Sequence, residues 1–235
     1  MINLQKYLSP CLLATSVLLV GTASAWAQGP LGAASEFAVL GGTNVTCTGG
    51  SVVGNVGVSP GSAVPYTNTG CTVAGGTPPA TDQSAAQARA DFLGEYAAFQ
   101  QKAKSVACTS VTGSLAARNL APGVYCVDAV AKTGLLTLDG PSNGIWTFYV
   151  DGALTGTNFS VEMAGGGQPC NVYWLPRLAA TLTTSQFKGN ILAGDDTLGS
   201  ITLTGGTLAG QAFANVAVTM TGASVIGCRA LQVSQ

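Results

Sequence analysis

The chain contains no histidine. That removes the commonest general base, the commonest metal ligand and every serine–histidine or cysteine–histidine nucleophilic arrangement. Charge is scarce as well. Asp, Glu, Lys and Arg make up 8% of the 235 residues, and the net charge is −1, far below the usual quarter of charged residues. Without a basic patch nothing neutralises a run of phosphates, so nucleic-acid binding is not expected. Paired acids are missing too. Asp195-Asp196 is the only adjacent pair, and neighbours on a strand point to opposite faces, so it reads as a solvated turn. Asp139 and Asp151 each precede a glycine and are explained by turns. No Cys-x-x-Cys spacing offers a thiolate metal site. Neither an enzyme, nor a metal, nor a cofactor is expected. The apolar run Cys11 to Val20 is too short to span a bilayer.

What is present is glycine, 32 residues of it, and an apolar content of 47% that argues against disorder. A short phrase recurs. Leu203-Thr204-Gly205-Gly206-Thr207-Leu208 is its clearest copy. Others start at Leu154, Leu182 and Met220, and Thr48-Gly49-Gly50-Ser51-Val52 lies near the start. In each, a threonine is followed three positions later by Thr, Ser, Asn or Gln and then by a large apolar residue. One such unit cannot bury its apolar residues alone. Coils stacked on one another build a continuous core, with Leu, Phe, Val and Ile inside and columns of Thr and Ser outside. The phrase therefore predicts a mainly β chain, a solenoid with coils of irregular length.

Residues 1–27 read as a signal peptide. Lys6 supplies the charged end, Cys11 to Val20 the apolar stretch, and Ala25-Trp26-Ala27 or Ala23-Ser24-Ala25 the cleavage site. Residues 28–235 read as one domain. Cleavage leaves Cys47, Cys71, Cys108, Cys126, Cys170 and Cys228, an even number that implies disulfides in an exported chain. Six cysteines allow 15 connectivities; pairing of sequence neighbours (47–71, 108–126, 170–228) is the expectation adopted. Thr48 to Ser59 reads as a coil, and residues 60–80, rich in proline, as a loop over one end of the stack. Residues 82–104 hold the long helical stripe, Ala85, Ala88, Phe92, Tyr96, Phe99 and Ala103. A helix with so narrow an apolar face should lie flat along the solenoid. The tail after Arg229 shows no anchor, so release is expected, placing the mature chain outside the cell, in the periplasm or at the cell surface.

At this point the sequence resembles the microbial ice-binding proteins. The segments that carry the resemblance are Phe37-Ala38-Val39-Leu40, Gly54-Asn55-Val56-Gly57-Val58-Ser59-Pro60-Gly61, the Ala-rich helix, Leu120-Ala121-Pro122-Gly123-Val124-Tyr125, Cys170-Asn171-Val172-Tyr173-Trp174 and Phe187-Lys188-Gly189-Asn190-Ile191-Leu192-Ala193. The resemblance implies an irregular right-handed β-solenoid (β-helix) with one long α-helix packed alongside. It further implies a flat face carrying a Thr-Ala/Gly-x-Thr/Asn phrase that adsorbs to ice, a monomer, and no membrane partner once the signal is removed. Thr155-Gly156-Thr157-Asn158 and Thr204-Gly205-Gly206-Thr207 fit the phrase fully; Thr183-Thr184-Ser185-Gln186 departs from it. The ice-contacting residues so assigned are Thr48, Ser51, Thr155, Thr157, Asn158, Thr183, Ser185, Thr204, Thr207, Thr221 and Ser224. Two other classes compete. A lyase or glycosidase on a β-helix needs clustered carboxylates. An adhesin or sugar-binding module needs exposed aromatics beside the threonines, for which Tyr66, Trp146, Tyr149, Tyr173 and Trp174 are the candidates.

Overall fold

The computed structural model describes residues 31–60, 66–75, 83–105, 107–129 and 131–233. The expected signal peptide lies outside them. Strands come first in two coils: β1 (Phe37–Gly41), β2 (Asn44–Thr48) and β3 (Ser51–Val53), then β4 (Asn55–Val58), β5 (Tyr66–Thr69) and β6 (Thr72–Ala74). Helix α1 (Gln83–Ser105) follows. Then come β7 (Thr109–Val111), β8 (Arg118–Leu120), β9 (Gly123–Asp128), β10 (Lys132–Asp139), β11 (Trp146–Asp151) and the long β12 (Leu154–Ala164). Three regular coils close the chain: β13 (Val172–Pro176), β14 (Ala180–Thr183) and β15 (Gln186–Lys188); β16 (Asn190–Ala193), β17 (Ile201–Thr204) and β18 (Thr207–Ala209); β19 (Ala212–Ala214), β20 (Ala217–Thr221) and β21 (Ser224–Ile226). A short helix α2 (Cys228–Val233) ends it.

All pairings are parallel, as stacked coils require. The first strand of each coil joins one 8-stranded sheet, in the order β4-β1-β19-β16-β13-β11-β9-β7. The remaining strands form a 13-stranded sheet. That sheet bends along a line of corner residues into two faces, so the stack has three sides. The order of coils is not the order of the chain. The second coil forms one end of the stack, the first lies beside it, and the first then packs on the last. Between them α1 carries the chain to the opposite end. Its 23 residues span about 34 Å at ~1.5 Å each, and seven strand spacings of ~4.8 Å come to about the same length. The helix is therefore as long as the stack is high.

Residues 60–80, expected to be loop, contribute β5 and β6. The prolines of this stretch fall outside both strands. At the end of the stack each strand needs a ladder on one side only, and β2 and β3 supply it.

The interior is filled by an aromatic ladder. Tyr125, Phe148 and Trp174 come from successive coils in register. Their ring centroids are 5.2 and 3.9 Å apart, and Phe187 lies 5.0 Å from Trp174. Stacked coils place like residues one strand spacing apart, and aromatic rings suit that spacing face to face. A second core lies between α1 and the 8-stranded sheet. Ala85, Ala88 and Phe92 are buried there against Leu40, Leu192 and Phe213, with Tyr96, Phe99 and Ala103 packed beside them. The helical stripe read from the sequence is thus the buried face. Asp91 ties the helix to the 3-10 turn Gly32–Glu36, its carboxylate accepting from the Ala33 N–H and the Gln87 amide, each at 2.7 Å.

Two stability predictions arise here. Gly94 sits mid-helix on the exposed side, its φ is not left-handed, and a Cβ there would meet nothing within 4 Å. Gly94→Ala should stabilise by about 0.5–1 kcal/mol, because glycine loses more backbone freedom on folding; thermal melting should show a rise of about 1–4 °C. Tyr173 is buried under α1, and burial, aided by the Glu95 charge, pushes its hydroxyl up to about 12 from 10.0. A raised folded-state value means stability is fully present below about 10 and is lost as pH rises towards about 12. Melting temperatures recorded across that window should fall, and less steeply in Tyr173→Phe.

Candidate functional site: a threonine face

Strands β5, β2, β20, β17, β14 and the first half of β12 make the second side of the stack. Their inward residues alternate with outward ones, as strand geometry demands. Leu182, Leu203, Met220 and Cys47 form one inward column. The outward residues on either side are all threonine. Thr67, Thr46, Thr219, Thr202, Thr181 and Thr155 stand in one register column. Thr69, Thr48, Thr221, Thr204, Thr183 and Thr157 stand in the other. Rungs are ~4.8 Å apart and the two columns about 6.6 Å, the rise of two residues in parallel strands. The array is thus two threonines wide and six rungs, about 24 Å, long.

Three features distinguish this surface. No charged residue occurs in any of the strand segments that build it. On one flank Asn44, Ala217, Ser200, Ala179 and Ala153 are small and half-buried. On the other the chain turns a corner immediately after the second threonine. There Gly70, Gly49, Gly222 and Gly205 take φ of 74, 61, 61 and 61°, and Thr184 and Asn158 take 48 and 49°. This left-handed turn is why glycine follows the threonine on four rungs. Among the described residues, none of the twelve threonine hydroxyls donates to or accepts from a protein group. Seven of the side chains are exposed (Thr48, Thr67, Thr69, Thr157, Thr181, Thr204 and Thr221) and the others half-buried. β-Branching holds each in a narrow set of rotamers.

The third side differs. Its outward column is Ser160, Gln186, Thr207, Ser224, Ser51 and Thr72. Here four of the six polar groups pair with one another: the Ser51 hydroxyl donates to Ser224 Oγ at 2.8 Å, and the Thr207 hydroxyl to Gln186 Oε1 at 2.5 Å. The next outward column, Lys188, Ala209, Ile226, Val53 and Ala74, is mostly apolar.

The residues singled out from the sequence therefore divide. Thr48, Thr155, Thr157, Thr183, Thr204 and Thr221 lie on the threonine face. Ser51, Thr207 and Ser224 lie round the corner on the third side, and Asn158 sits on the corner. Ser185 does not reach the surface: it is 3% exposed, and its hydroxyl accepts from the Phe159 N–H and donates to the Thr183 carbonyl. Reading Thr-x-x-Thr joined residues across a corner, where the left-handed residue breaks the alternation. The period-2 phrase Thr-x-Thr, present at 46–48, 67–69, 155–157, 181–183, 202–204 and 219–221, stays on one side. It would also have found Thr46, Thr67, Thr69, Thr181, Thr202 and Thr219. The aromatic candidates for sugar stacking fall away. Trp146, Tyr149, Tyr173 and Trp174 are buried, Tyr66 is half-buried, and no described aromatic side chain is exposed. Asp195 lies in the loop between β16 and β17; the Leu198 and Thr197 amides bond its carboxylate and lower its pKa, as in a turn.

The disulfides are Cys47–Cys71, Cys108–Cys126 and Cys170–Cys228, the neighbour pairing expected. The first anchors the outermost rung of the threonine face, because Cys47 lies between Thr46 and Thr48 and Cys71 follows Thr69 by two residues. Replacing both cysteines by alanine should speed amide hydrogen exchange in β5 and β6 while β16 and β19, in mid-stack, keep their protection.

Comparison with known proteins agrees with this architecture. The ice-binding-like family profile matches residues 39–226. The chain is 42% identical over 200 residues to an ice-binding protein of Nostoc sp. (strain HG1), covering 81% of this chain and 71% of the relative. It is 28% identical over 210 residues to ice-binding protein K3-B1 of Typhula ishikariensis, covering 77% and 84%. Among solved structures, an ice-binding protein from the Antarctic ascomycete Antarctomyces psychrotrophicus superposes with a TM-score of 0.68 at 30% identity, covering 83% of this chain and 96% of that one. An ice-binding protein from an Antarctic biological consortium gives 0.67 at 34% identity, covering 85% and 92%. With the stacked parallel coils, the flanking helix and a match across most of its length, the chain belongs to the ice-binding-like family.

Proposed function

We propose that this protein is a secreted, monomeric, non-catalytic ice-binding protein that adsorbs to ice through its threonine face and slows ice growth and recrystallisation. The coils are taken to wind right-handed, the hand that parallel strand crossovers adopt almost without exception. One observation carries the reading: two register columns of threonine, six rungs long, uncharged and with hydroxyls that bond no other described residue. Ice is an array of ordered water, so a surface that binds it must be flat, regular and rigid. Each hydroxyl can join a water network and each methyl can sit in a gap between waters. A preformed scaffold loses little conformational freedom on binding. Lysine and glutamate would hold their own hydration water against that lattice, and the face has neither. Adsorbed molecules pin the ice front, which then advances only as a curved surface between them.

Export agrees with the three disulfides, which form in oxidising compartments, and with the signal-like start of the sequence. Among the described residues no helix is long and apolar enough to cross a membrane. The test is ice-crystal morphology, thermal hysteresis and recrystallisation with the purified mature protein. Faceted crystals and fine-grained ice are expected. Round crystals and coarse grains with folded protein would transfer the face to the adhesin reading, in which the same columns meet another surface.

A further inference from the structure

The corner beside the threonine face is uneven. On four rungs the left-handed position is glycine, which offers only backbone to the surface. On the two adjacent rungs of β12 and β14 it is Asn158 and Thr184. Asparagine tolerates this conformation; a β-branched threonine is a steric outlier there. Nothing in the packing asks for it. Both side chains are exposed. A Cβ at Gly49, Gly70 or Gly222 would meet nothing within 4 Å, and one at Gly205 would meet only Thr184, nearest at Cγ2, 3.5 Å away, so the corner is open and these side chains fill no gap. The Thr184 hydroxyl donates to Asn158 Oδ1 across the rungs, and the Asn158 amide donors meet no described residue. Residues in strained backbone conformations cluster at functional sites. They follow directly on Thr183 and Thr157, so at this end of the array a third polar column stands beside the two threonine columns.

We propose that Asn158 and Thr184 are specificity-determining residues of the ice face: the pair carries it round the corner over two rungs and adds an ice plane inclined to that held by the threonine columns. This rests on the threonine face being the ice-contacting surface. Thr184 does so at the cost of backbone strain, which separates it from a structural role. The experiment coats single-crystal ice hemispheres with fluorescently labelled wild type, Thr184→Gly, Asn158→Gly, the double variant, Thr184→Asn and Thr204→Lys, and melts each protein. Thr184→Gly should melt about 2–4 °C higher than wild type, yet lose part of the wild-type coating pattern and show a smaller thermal hysteresis. The double variant should lose the same part. Thr184→Asn, polar and tolerant of the left-handed turn, should restore the full pattern. Unchanged coating by the glycine variants overturns the proposal, as does a lower melting temperature accompanying the loss. If wild type coats while Thr204→Lys does not, the threonine face stands whatever the corner variants do. A wild type that coats no plane overturns the face and the corner together.

Discussion

Thr204→Lys should abolish ice shaping and thermal hysteresis while leaving the melting temperature within about 2 °C of wild type. Thr204 occupies an inner rung of the array, between Thr183 and Thr221 in its column. It is exposed, and its hydroxyl bonds no described residue, so its replacement removes no packing. Surface substitutions of this kind stay within about 0.5 kcal/mol. Lysine brings a compact, strongly hydrated charge on a flexible stem. Neighbouring rungs are only ~4.8 Å away, so one such head and its water shell would lift several threonines off the ice. The matching control is Ser51→Lys on the third side, where serine bonds Ser224 and not the solvent array. Hysteresis retained by Thr204→Lys would remove the threonine face from contention. Hysteresis lost only by Ser51→Lys would move contact to the third side.

Trp174→Ala should have the largest effect on stability, about 3–5 kcal/mol, out of a total of roughly 5–15 kcal/mol for a folded domain. The indole is fully buried, stacks on Phe148, touches Phe159 and Phe187, and donates from Nε1 to the Lys188 carbonyl at 3.1 Å. Removing it leaves a cavity in mid-ladder and an unpartnered carbonyl. The melting temperature should fall by roughly 6–20 °C. Hysteresis measured near 0 °C, where the variant stays folded, should persist, because Trp174 faces the interior and no threonine of the face depends on its chemistry. Loss of hysteresis from a variant that is folded in the cold would mean that the core sets the register of the threonine columns more tightly than the backbone ladders do. Trp174→Phe keeps the stacking and should cost much less.

These two residues show how differently site and core could be read beforehand. Strand alternation in Cys170-Asn171-Val172-Tyr173-Trp174 sets Tyr173 and Trp174 on opposite faces, but the whole of Val172–Pro176 is buried, one face in the ring stack and the other under α1, so alternation left Trp174 among the exposed-aromatic candidates. The same alternation, applied to Thr202-Leu203-Thr204, places both threonines outward. A phrase spaced by three instead joined Thr204 to Thr207, which the left-handed Gly205 turns onto another side. Ser185 reads as one more surface hydroxyl, yet it is buried and bonds the Phe159 amide of the preceding coil. Its partner is 26 residues away, and no local pattern reveals that.

Sequence alone determined the elements whose causes are short-range: the helix, from a three-and-four stripe, and the strands, from alternation with glycine at the corners. It also held the threonine-x-threonine phrase on every rung of the array. Tertiary structure decided which rung lies beside which. Thr48 stands next to Thr221, 173 residues away, because the first coil packs on the last. That order depends on α1 being as long as the stack is high, so that the chain can cross to the far end and build back. Parallel ladders then lock the register one strand spacing at a time, and only this locking turns six separate phrases into two straight columns.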